Sequence, residues 1–155
     1  MWQGLKRIFF GDKTRFESSR NAFRLSDEGI YPEAIHRPGE APLCWSWESV
    51  CEFGLSVHQA IYPDPWFGDY MEAEWFFTLE NGEGPQRLFF DIDYFSMEAL
   101  PAILPEKLPG FDKRALEEGW REYRVGPRNY EGAGQWIAWR KQGFTWPLGS
   151  ELPAE

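Results

Sequence analysis

The run Met71-Glu72-Ala73-Glu74-Trp75-Phe76-Phe77-Thr78-Leu79, the turn sequence Asn81-Gly82-Glu83-Gly84-Pro85 and the run Leu88-Phe89-Phe90-Asp91-Ile92 decide the fold. Met71, Ala73, Trp75, Phe77 and Leu79 recur at every second position, as do Leu88, Phe90 and Ile92, and two is the side-chain period of a strand. The Asn-Gly and Gly-Pro pairs between them supply turn chemistry, so the two runs predict an antiparallel hairpin. One register that keeps Trp75, Phe77, Phe90 and Ile92 on a single face sets Trp75 opposite Phe90 and Phe76 opposite Phe89. It also sets Glu74 opposite Asp91 and Glu72 opposite Asp93. Like charges directly opposite each other destabilise a sheet by roughly a few tenths of a kcal/mol per pair. A fold alone has no use for that arrangement, which makes this face the first candidate for function.

Working toward the N-terminus, Cys51, Phe53, Leu55 and Val57 alternate with Glu52, Gly54, Ser56 and His58, the pattern of a half-buried strand. Leu43, Trp45 and Trp47 alternate before it, after a break at Pro38, Gly39 and Pro42. Phe23 and Leu25, the run Ser26-Asp27-Glu28-Gly29 and then Ile30 read as a further hairpin. Residues 1–21 mix basic and apolar side chains without a period and are expected to be an arm or a short helix.

Toward the C-terminus the period lengthens. Ser96 is placed to cap a brief helix that Pro101 and Pro105 would interrupt. Asp112 caps a better one, with Phe111 and Leu116 as a hydrophobic staple, Leu116, Trp120 and Tyr123 as its apolar stripe, and Glu117 with Arg121 as an i, i+4 pair. Gly126-Pro127 ends it, Trp136 to Trp139 form a last strand, and residues 142–155 are a loose tail. The chain is thus expected to be one α+β domain over residues 1–155, its core at 22–141, with a curved antiparallel sheet covered by a C-terminal helix. A curved open sheet or a partly open barrel, resembling pleckstrin-homology-like domains, is the expected form.

The charge is segregated along the 155 residues. Residues 25–106 carry sixteen Asp and Glu against Arg37 and Arg87, within a net charge of −9. A pI near 4.8 argues against nucleic acid or an anionic membrane as the main partner, since both call for a positive field. Nine Trp and an aromatic share of 18% separate the chain from acidic disordered sequences. Cys44 and Cys51 are too few for a disulfide scaffold and read as reduced core or flank residues. Lys6 and Arg7 precede only Ile8, Phe9 and Phe10 before Gly11, too short an apolar run for a signal peptide or a span, so a cytoplasmic location is expected.

No nucleophile elbow, phosphate-cradling glycine loop or Cys-x-x-Cys is present, and His36 and His58 have no partners at zinc spacing, so no enzyme, catalytic residue or cofactor is expected. Three readings of the carboxylate face are open. It is a solvated strand face, or it meets a basic protein surface, or its hard oxygens hold Ca²⁺ or Mg²⁺. The second brings in the loop at 62–70, whose aromatics exceed what a connector needs. That contact surface comprises Asp64, Trp66, Phe67, Asp69, Tyr70, Glu72, Glu74, Phe76, Asp91 and Asp93.

Between residues 23 and 141 the chain resembles small bacterial domains with a Leu-Ser-Asp-Glu-Gly-Ile strand and turn (25–30), a Trp-Ser-Trp-Glu-Ser-Val segment (45–50), a Leu-Pro-Gly-Phe-Asp lead into the last helix (108–112) and a Trp-rich strand. Such domains look like immunity proteins, small acidic antidotes that bind and block a cognate toxin. The resemblance implies a toxin or effector with a basic surface as partner. The basic N-terminal segment and the aromatic loop depart from the pattern. The alternative is a pleckstrin-homology-like module binding a lipid headgroup or peptide through Lys6, Arg7, Lys13 and Arg15.

Overall fold

Two strands are joined by the turn at Gly82-Glu83, and a computed structural model places them in the predicted register. It describes residues 23–32, 44–60, 65–66, 71–125 and 134–147. Seven strands are described: β1 (Phe23–Leu25), β2 (Gly29–Pro32), β3 (Trp45–Ser46), β4 (Val50–Gln59), β5 (Met71–Asn81), β6 (Gly84–Asp91) and β7 (Gly134–Arg140), with helices α1 (Ile103–Lys107) and α2 (Lys113–Val125) before β7. Trp75 faces Phe90, Phe76 faces Phe89 and Glu74 faces Asp91. The fourth expected pair does not form. The Asp91 carboxylate accepts the Asp93 N–H at 3.0 Å and starts a 3₁₀ turn over Ile92–Tyr94, which carries Asp93 off the strand.

The fold is α+β, with two antiparallel sheets of order β1-β2-β3 and β6-β5-β4-β7. The larger sheet is open, so of the two expected forms the curved sheet is the one observed. Closure would require a strand between β7 and β6, but among the described residues β7 adds to the free side of β4 and β1 pairs with β2 alone. Where β7 passes Phe53 and Gly54, Ala138 is bulged out of register. Gly54 is required at that point, since a Cβ there would lie 2.4 Å from the Trp136 carbonyl oxygen and 2.7 Å from the Phe76 ring.

The core lies on one face of the large sheet. Phe53, Trp75 and Phe77 are fully buried there, and the rings of Phe23, Phe90 and Phe95 pack on them edge-on and tilted. Burying each such side chain contributes about 1.5–3 kcal/mol. The Trp75 indole donates to the Ile92 carbonyl at 2.9 Å, so the 3₁₀ turn is pinned from inside the core. Helix α2 covers this face through buried Leu116 and through Gly119, whose missing Cβ leaves room for the Trp136 ring.

Several expected details shift. The alternation at Trp45 and Trp47 stops after two residues, because Trp47 turns into a 3₁₀ segment and its indole donates to the Ser26 carbonyl at 2.8 Å. The first helix begins at Ile103 instead of after Ser96; Pro105 then falls in its first turn, where no backbone donor is needed. Asp112 accepts the Arg114 N–H as expected, while Glu117 pairs with Lys113 at 3.7 Å and not with Arg121. Cys44 is exposed and Cys51 buried, both as free thiols. Part of the expected loose tail is packed, with Trp146 lying over Arg87 on the second face of the sheet.

Candidate functional site

The second face of the large sheet carries Glu52, Ser56 and His58 from β4, Glu72, Glu74, Phe76 and Thr78 from β5, and Arg87, Phe89 and Asp91 from β6, as the register dictates. Alternating polarity predicts a solvated face. Instead Glu52, Glu74, Phe76, Thr78 and Arg87 are all buried, which removes Glu74 and Phe76 from an exposed contact surface. Glu52, Thr78 and Arg87 are tolerated there because they satisfy one another. Glu52 Oε2 lies 2.6 Å from an Arg87 terminal nitrogen and accepts from Thr78 Oγ1 at 3.0 Å, and Arg140 Nε donates to Glu52 Oε1 at 2.8 Å. Arg87 also donates to Thr78 Oγ1 at 3.1 Å and to Gln135 Oε1 at 2.7 Å. Its guanidinium carbon sits 4.1 Å from the Phe76 ring centre and 5.1 Å from that of Trp146, so Phe76 is a stacking partner inside this network. Burial lowers the Arg87 pKa, and the bond to Glu52 opposes that shift.

At the end of the sheet where β5 begins and β6 stops, the acids come to the surface. Asp93 is exposed, Asp91 half-buried, and Glu72 keeps 21% of its side chain exposed, its carboxylate 3.5 Å from His58 Nε2 across the strands. Helix α2 ends beside them. The Tyr123 phenol is pushed up first by burial and then by the negative charges of Asp93, Asp91 and Glu72, which places all three within electrostatic reach of one hydroxyl. Trp66 stands 88% exposed five residues before β5.

The expected surface is therefore divided. Glu72, Asp91 and Asp93 reach the surface at one end of the sheet, Trp66 is exposed, Glu74 and Phe76 are interior, and Asp64, Phe67, Asp69 and Tyr70 lie outside the described residues. Lys6, Arg7, Lys13 and Arg15, on which the lipid alternative rests, also lie outside them. Sequence reasoning missed the Glu52–Arg87 pair. Its signal was present, since Arg87 is one of only two basic residues in the long acidic stretch and falls on a strand. The sequence pattern marks Tyr123 only as part of the helix stripe, and His58 lies on the β4 strand face and is 9% exposed.

Among the described residues no three His, Cys, Asp or Glu converge to hold a metal ion, and no helix is long and apolar enough to cross a membrane. An end of the sheet rimmed by carboxylates can steer a cationic surface, and an exposed indole can anchor one. Comparison with protein-family models, with curated proteins and with solved structures finds no match to this chain.

Proposed function

We propose that this protein is a non-catalytic binding protein that docks a basic protein surface at the Glu72–Asp91–Asp93 end of its sheet, and that it serves as an immunity protein occluding a cognate bacterial toxin. The observation that carries this reading is that Glu72, Asp91 and Asp93 reach the surface together at the end of the sheet where β5 begins and β6 stops. The exposed Trp66 indole supplies an apolar anchor for the same partner. Charges at such a rim act mainly on encounter, raising association rates by about tenfold or more at low salt.

The test is surface plasmon resonance against the protein encoded by the neighbouring upstream gene. Wild type is expected to bind, with an association rate that falls as salt rises. The Glu72→Lys/Asp91→Lys/Asp93→Lys variant is expected to keep its melting temperature and lose about tenfold or more in association rate. Unchanged kinetics in that variant would discard the surface, and absence of binding by the wild type would discard the immunity role.

A further inference from the structure

His58 lies at the border between the buried network and the acidic end of the sheet. Its register partner on β5 is Glu72, and Glu74 sits on the diagonal, opposite Ser56. Strand alternation turns the imidazole and both carboxylates to the same face. Among the described residues β7 brings no charge to it, since Gln135 stands opposite Ser56 and Gly134 opposite Val57. On its own strand the nearest acid of that face, Glu52, is held by Arg87 and Arg140. Beyond β5, Asp91 stands opposite Glu74, and from α2 the Tyr123 phenol lies within electrostatic reach of Glu72. The described charges that face His58 across the strands are therefore carboxylates.

The imidazole is buried, and among the described residues its Nε2 makes no hydrogen bond, with Glu72 Oε2 3.5 Å away. That spacing suits a neutral ring with its proton on Nδ1. A lone pair on Nε2 then faces the carboxylate, and two acceptors stay apart. A charge-assisted bond between the same two groups would be about 2.7–2.9 Å long. The pair is thus one proton short of a bond. Histidine is the side chain whose charge ordinarily changes between about pH 5 and 8, above the range near pH 4 in which free carboxylates titrate. Glu72 keeps part of its side chain in solvent, so it can close the remaining gap without unpacking the sheet.

We propose that His58 is a proton-operated control of the acidic end: protonation at Nε2 draws the Glu72 carboxylate into a charge-assisted hydrogen bond, cancels one of the three surface charges and loosens the hold on a basic partner. This control rests on the docking surface proposed above and supplies its regulation. Binding is firm at neutral to slightly alkaline pH and weakens as the pH falls through the histidine range.

Two measurements on the full chain test it. The chain has two histidines, so His36→Gln leaves His58 as the single imidazole, whose ring signals can be followed by NMR from pH 8.5 to 5. They are expected to titrate in that range, and to do so at lower pH when Glu72→Gln is added, because the charge that favours the proton is gone. Decalysine, which keeps its charge over the same range, is the cationic probe for calorimetry at about 0.01 M ionic strength, where screening is weakest. Between pH 8 and pH 6 its affinity for wild type is expected to fall by about two- to fivefold more than for His58→Gln, which is what one exposed charge pair contributes. Ring signals that stay fixed, or that titrate alike with and without Glu72, would overturn the proposal. Equal pH dependence of binding in wild type and His58→Gln would overturn it as well. Decalysine bound equally well by Glu72→Lys/Asp91→Lys/Asp93→Lys would discard the docking surface and with it the control of binding. The His58 titration in the free protein would survive that result, which tells the two failures apart.

Discussion

Both carboxylate oxygens of Glu52 are occupied, one by Arg87 and Thr78 and the other by Arg140, and neither Glu52 nor Arg87 has appreciable exposure. Removing the charge from Glu52 alone strands a buried guanidinium, which costs far more than the pair contributes. Glu52→Gln is expected to destabilise the protein by about 3–5 kcal/mol in urea denaturation. Glu52→Leu with Arg87→Met should cost much less than the two single changes together, because no orphan charge remains. Additive losses would show that the two side chains are not coupled. Tyr123 supplies a pH-dependent counterpart. Its folded-state pKa is raised by burial and then by Asp93, Asp91 and Glu72, so folding favours the neutral phenol. That contribution is complete below the unfolded value of about 10 and is lost as pH rises through the raised one. The phenolate absorbance assigned by difference from Tyr123→Phe is expected to titrate at lower pH in Asp91→Asn/Asp93→Asn, with the part due to burial persisting. An unmoved titration would separate Tyr123 from the acidic end of the sheet.

Helix α2 approaches β7 closely because position 119 has no side chain: a Cβ there would lie 2.8–2.9 Å from the Trp136 ring. Glycine inside a helix costs about 1 kcal/mol relative to alanine, so propensity alone favours Gly119→Ala. Overpacking against an indole held between helix and sheet costs about 1–3 kcal/mol, and the variant is expected to be less stable than wild type by thermal melting. A gain in melting temperature would mean that the helix can lift without loss. The same comparison of terms explains what was legible at this scale. The β5–β6 hairpin could be read down to its register, because Trp75, Phe77, Phe90 and Ile92 fix which face goes inward and Asn81-Gly82 fixes the turn. The end of β6 could not, since Asp91 chose to accept the Asp93 N–H over continuing the strand, a competition between local bonds that periodicity does not record. Nor was the burial of the second face legible. Alternation reports polarity, and Glu52, Thr78 and Arg87 are polar yet interior because they bond to one another across β4, β5 and β6. Glu74 and Phe76 were assigned to the surface by that rule, whereas Glu72 and Asp93, at the frayed end, do reach solvent.

For the whole molecule, a net charge of −9 acts over distances that single ion pairs do not. The Glu52–Arg87 pair is shielded from solvent ions, and the surface pairs Lys107–Asp27 and Lys113–Glu117 are of the exposed kind that contribute about 0–1 kcal/mol each. Repulsion among the remaining surface carboxylates is therefore the larger salt-sensitive term. The Debye length falls from about 30 Å at 0.01 M to about 3 Å at 1 M, so added sodium chloride should screen that repulsion before it weakens the short pairs. Stability in urea at pH 7 is expected to rise with salt. It should rise less in the Glu72→Lys/Asp91→Lys/Asp93→Lys variant, where each substitution moves the charge two units toward zero. A fall in wild-type stability over the same range would mean that attractive surface pairs outweigh the repulsion. The acidic end would then have been no burden to the free protein and would need no basic partner to offset it.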